Sequence, residues 1–199
     1  MNFLVIPIMV LNFVAGILGG IWLAFLGQWG VILAGFALMM GGAFLVSILL
    51  LPSMIFMMAL LLVNEKLAAS AFAMVPLALL SITYTYCIMG LWAVGIFWYF
   101  SNSVSTNAMI PAIFWSYSIA TSVWNYLAQK DAQSGNNYAA MTSFFNQIGC
   151  VSLMIYTYEN FHHVNIYSLA IWFSVPMAVG LVVHVAMVVS SVRAGGQFQ

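Results

Sequence analysis

Long apolar runs separated by short polar punctuation set the rhythm of this chain, and a membrane-crossing helix needs about 20 such residues in a row. Phe3 to Leu26 forms the first run, closed by Gly27-Gln28-Trp29-Gly30. Val31 to Leu51 forms the second, with Pro52 predicted to interrupt it. A third span is expected over Leu77–Phe100, a fourth over Ala108–Ala128, a fifth, less apolar, over Tyr138–Tyr158, and a last over Val164–Val192. The polar separators are Ser101–Asn107, Gln129–Asn137 and Glu159–His163. The pattern therefore predicts an all-α, polytopic transmembrane helical bundle of about six spans, with residues 1–199 forming one transmembrane domain.

The segment between Pro52 and Pro76 departs from this rhythm. Two apolar stretches, Ser53–Val63 and Leu67–Val75, flank a polar tip at Asn64-Glu65-Lys66. If the neighbouring spans ran unbroken to that tip, each would be about 50 Å long, against a hydrocarbon core of about 30 Å. A Pro-bounded apolar hairpin between spans two and three is expected, kinked at both prolines. The excess length can tilt, lie along the membrane interface or bury against a partner, and Met54, Met57, Met58 and Leu61 form an adaptable apolar surface suited to such packing.

Charge orients the bundle. Lys66, Lys130 and Arg193 follow spans two, four and six, while the loops after spans one, three and five carry no Lys or Arg. Basic residues favour the cytoplasmic side, so both termini are expected there, in a plasma or inner membrane. Trp29 and Trp98 fall near the opposite interface, where amphipathic rings are favoured. No basic n-region precedes the first apolar run, so it reads as a retained span rather than a cleaved signal.

Composition excludes whole classes of function. Hydrophobic residues make up 65% of the 199, charged residues 3%, and the mean hydropathy is +1.11. Three cations and three anions cannot wet the surface of a soluble globule, which ordinarily carries about 25% charged residues. With zero net charge there is no basic stripe for nucleic acid. The expected partners are the lipid bilayer and other membrane subunits or further copies of the chain. Cys87 and Cys150, isolated in apolar segments, read as small buried hydrophobes.

Two kinds of polar or small-residue pattern stand inside the spans. Gly16-x-x-x-Gly20 and Ala37-x-x-x-Gly41 place small residues one turn apart, which lets helix backbones approach closely in lipid. Ser118, Thr121, Ser122 and Asn125 share one face of the fourth span. Thr142, Asn146 and Ser152 share a face of the fifth, with Gln147 beside them. Such stripes cannot face lipid, so interhelical hydrogen bonding or the wall of a polar path is expected there. Asn12 reads as a further packing amide.

Catalytic constellations are not visible. Every Asp, Glu, Lys and Arg falls at a loop or helix end, leaving His184 as the one ionisable side chain expected at depth among the basic and acidic residues, which disfavours ion-coupled transport. Glu159-x-x-His162 has the spacing of a di-iron motif, but that centre needs further carboxylates and another His that the chain does not supply. No cofactor, metal or catalytic residue is assigned. The expected function is that of a non-catalytic membrane subunit in a transport, secretion or energy-converting assembly. The alternative is a self-sufficient, homo-oligomeric channel or facilitator for a small neutral solute or ion.

Overall fold

A computed structural model describes residues 2–63, 71–133 and 138–193, and within them the chain is helical throughout apart from its turns. Six helices follow in order: α1 (Asn2–Phe25), α2 (Trp29–Val63), α3 (Ala71–Ser103), α4 (Met109–Gln133), α5 (Tyr138–Glu159) and α6 (Ile166–Arg193). A short 3-10 turn, Thr106–Ala108, leads into α4. Helix is the one open form whose backbone satisfies itself without water, and the apolar runs leave no alternative.

The turns follow local chemistry. At the end of α1, Gly27 takes a left-handed φ of 70°. Its N–H donates to the Ala24 carbonyl at 3.0 Å, and the Gln28 N–H donates to the Leu23 carbonyl at 2.9 Å. This Schellman-type cap satisfies carbonyls that would otherwise be orphaned, and a side chain at Gly27 would strain it. The polar end of α3 caps itself, since Ser101 Oγ and Asn102 Nδ2 both donate to the Trp98 carbonyl at 2.9 Å. Asn165 Oδ1 accepts from the Tyr167 N–H at 2.8 Å, an N-cap for α6.

Helix α4 is the axis of the bundle. It packs against α1, α2, α3 and α5, while α6 closes the other side against α5 and α3. Its face-to-face burial is nearly complete from Pro111 to Asn125, with Phe114 and Ser122 half-buried. Trp115, Ile119, Val123 and Trp124 supply its apolar core contacts.

Among the described residues, four helical segments are long and apolar enough to cross a membrane: Ile6–Phe25, Trp29–Val63, Val75–Ser103 and Ile166–Ser190. The more polar α4 is enclosed among them, and α5 turns its polar face toward α4 while leaving Phe144, Ile148 and Ile155 exposed. Apolar surface outside and amides inside is the arrangement lipid requires.

Three boundaries differ from the sequence expectation. Pro52 does not end the second helix, and Pro76 does not delay the third: α2 is continuous to Val63 and α3 begins at Ala71. A proline removes one helical hydrogen bond and crowds the carbonyl four residues back. Here the flanking Leu, Met and Ala are strong helix formers, and leaving the helix would expose several unpaired backbone groups in an apolar setting. Likewise α4 runs on to Gln133, through the start of the expected Gln129–Asn137 loop. The tip Asn64-Glu65-Lys66 lies outside the described residues.

Helices α2 and α3 run antiparallel. A methyl placed on Gly41 or Gly42 of α2 would stand 3.4 Å from the Trp92 ring of α3. Further along α2, Ser53 Oγ donates to Ser81 Oγ at 2.9 Å, nearer the start of α3.

Candidate functional site

The polar stripes of α4 and α5 meet at the centre of the bundle. Tyr117 donates its hydroxyl hydrogen to Gln147 Oε1. Gln147 Nε2 donates in turn to Asn125 Oδ1 at 3.1 Å, and Ser143 Oγ donates to the same oxygen at 3.2 Å. On the other side of α4, Thr121 Oγ1 lies 2.7 Å from Asn12 Oδ1 and 2.8 Å from the Tyr117 carbonyl of its own helix. All of these side chains are buried, so the network ties α1, α4 and α5 together through uncharged groups.

A second cluster continues toward α3 and α6. Thr142 Oγ1 and His184 Nδ1 share a hydrogen bond of 3.2 Å. The Tyr86 ring stands edge-on to both His184 and Trp124, with centroids 6.2 and 6.0 Å away. Asn146, one turn beyond Thr142, is fully buried, and its Oδ1 receives the Cys150 thiol at 3.8 Å. The buried nitrogens Asn125 Nδ2, Asn146 Nδ2 and Trp124 Nε1 have no hydrogen-bond partner within the described chain.

The remaining sequence candidates separate by position. Ser122 is half-buried and bonds its own helix at the Ile119 carbonyl, 2.7 Å away. Ser152 Oγ reaches across to the Trp172 carbonyl of α6 at 3.1 Å. Ser118 is buried against α1, where a methyl on Gly16 would come within 2.4 Å of its Oγ. A methyl on Gly20 would stand 3.4 Å from the Trp115 ring, so Gly16 and Gly20 both face α4. Gly41 faces Trp92, whereas Ala37 is exposed. Met54, Met58 and Leu61 are exposed and Met57 is half-buried.

Two of these contacts lay beyond the sequence reading. Tyr117 and Ser143 are not among the residues the sequence singled out. Both had a signal in their spacing: Tyr117 precedes Thr121 by one turn, and Ser143 precedes Gln147 by one turn, so each extends a stripe. Cys87 corrects a further expectation. It is exposed on the surface of α3, because a membrane protein turns apolar faces outward as well as inward, while Cys150 is buried.

At the loop end, Glu159 and His163 are exposed, and His162 Nε2 lies 3.1 Å from Thr106 Oγ1. That contact joins the turn after α5 to the turn before α4. His162 holds a left-handed φ of 67° and stacks edge-on against Phe161. Among the described residues, no group of three or more His, Cys, Asp or Glu side chains could hold a metal ion.

Taken together, four membrane-length apolar helices around a buried, uncharged polar core define a multi-pass membrane protein. No protein-family profile, curated protein or solved structure matches the chain.

Proposed function

We propose that the chain is a non-catalytic integral subunit of a larger membrane assembly, crossing the bilayer six times with both termini on the side of Lys66, Lys130 and Arg193. The single observation carrying this reading is helix α2. Only 6% of its most apolar window is buried within the chain, against 35% for α3 and 28% for α1 and α6. Its 35 residues extend about 52 Å, and α3 is nearly as long. Tilt alone would need about 55° to fit that length into a 30 Å core, beyond the roughly 0–40° of membrane helices.

The excess lies past Pro52, where Met54, Ile55, Met58, Leu61 and Leu62 are exposed and Leu62 reaches 87%. A helix that lies in the interface has one polar face. This stretch, Pro52–Val63, is apolar around its whole circumference, which is the pattern of a helix buried among others. Partner protein therefore accounts for the Pro-bounded pair better than interface docking does.

Gentle detergent extraction from the native membrane followed by native mass analysis tests the proposal. A heteromeric particle is expected, with photo-cross-links from Met57 and Leu61 reaching a different polypeptide. A particle of this chain alone, with cross-links only to lipid, would sink the subunit reading.

The second reading, a homo-oligomeric channel or facilitator, draws support from the unpartnered amide nitrogens of Asn125 and Asn146. A conduit would present such donors to a neutral solute or a partly dehydrated ion. Liposome flux through purified protein, abolished in Asn146→Leu with the fold intact and reduced in Ser122→Leu, is the outcome that would select it.

A further inference from the structure

We infer that the cleft between α1 and α2 is a binding site for one acyl chain of a diacyl phospholipid, entering from the leaflet that holds the α1–α2 turn. Consecutive helices joined by a tight turn ordinarily pack on each other. Here α1 packs far more extensively on α4 than on α2. The cause is Trp115. Its indole lies between the two helices, one edge against Gly20 of α1 and the Nε1 edge against Gly35 of α2, where a methyl would come within 2.1 Å. Phe36 packs edge-on to the same ring at 5.5 Å. The wedge leaves an apolar cavity of about 510 Å³ above the ring, open along its side.

The length of that cavity identifies its occupant. On α1 it runs from Ala24 to Phe13, and on α2 from Trp29 to Met39. At 1.5 Å per residue these are about 16 Å and 15 Å, both measured inward from the Gly27–Gln28 turn. Half of the hydrocarbon core is about 15 Å. The cleft is therefore one leaflet deep, about half the length of a helix that crosses the whole core. A single hydrocarbon chain matches it. Trp29 at the mouth is exposed and sits where an indole meets the headgroup region, and the polar Gln28 backbone lies beside it. The lining is almost wholly apolar, with Ser118 Oγ on the floor already crowded against Gly16.

Reconstitution in phosphatidylcholine vesicles supplies the probe. Phosphatidylcholine carrying a diazirine at its chain terminus is expected to label Phe13 and Met39, at the deep end, well above Leu33 and Phe44, which are exposed elsewhere on α2. After extraction, native mass analysis is expected to retain one phosphatidylcholine that resists stripping. Ile17→Trp and Ile21→Trp, which fill the cleft from α1, should lose that adduct, and Leu33→Trp should keep it. Uniform labelling of every exposed face would overturn the assignment, as would an adduct indifferent to both filling variants. Cross-links from the cleft to a second polypeptide would replace the lipid with a protein partner. The labelling arm uses the unaltered chain, so it stands even if a filling variant fails to fold.

Discussion

Helices α4 and α2 are neighbours in one bundle and obey opposite rules. From Pro111 to Asn125, α4 is surrounded on all sides, and its polar side chains find partners on α1 and α5. Helix α2 carries no polar group other than Ser47 and Ser53 between Val31 and Val63, and it leaves most of its surface uncovered. In water the more polar helix would be the exposed one. In lipid the more polar helix needs protein around it, because an unpaired amide against hydrocarbon costs far more than a leucine there. Burial in this molecule is thus set by polarity with the sign reversed. An apolar helix that remains bare is bare either to lipid or to a partner, and its length past Pro52 is what separates those two cases.

The contrast can be strained by substitution, beginning where the loss should be greatest. Trp124→Ala removes a fully enclosed indole packed on Tyr86, and about 3 kcal/mol of stability should go with it, measured by denaturant titration in detergent. A loss below about 1 kcal/mol would mean that α4 is not the packed axis. Asn125→Leu deprives both Ser143 and Gln147 of their acceptor and should cost about 1–2 kcal/mol. Thr121→Val breaks the bond to Asn12 and should cost about 0.6 kcal/mol, the average for hydrogen bonds between membrane helices. Smallest of all, Leu61→Ser on bare α2 should change the stability of the isolated chain by less than about 0.5 kcal/mol. Under the proposed subunit reading, the same change in the native membrane should lower recovery of a heteromeric particle by co-purification. If Leu61→Ser instead unfolded the isolated chain, the distinction between the two helices would vanish.

Much of this was readable from residue order. The spacing of Ser118, Thr121 and Asn125 put them on one face, and lipid forbids that face from pointing outward. The starts and ends of α1, α5 and α6 fell within about two residues of expectation, because polar punctuation is abrupt at each. The continuity of α2 through Pro52 was not readable. A proline weighs against helix locally by about 3 kcal/mol, and whether it stops or merely disturbs the helix depends on the surroundings of the freed carbonyl. The partners of Gly16 were equally hidden: the spacing announced a close approach, and only the packed bundle named Ser118 as the group approached.

The sequence by itself determined that the chain is helical and membrane-embedded, since those follow from the length and apolarity of its runs against the thickness of a bilayer. Which stripe meets which was decided by tertiary structure alone. Hydropathy is a property of each helix taken singly, whereas the Tyr117–Gln147–Asn125 chain, the Thr142–His184 pair and the Trp115 wedge depend on the relative rotation and spacing of several helices at once. Periodicity fixes a face, and packing chooses its neighbour.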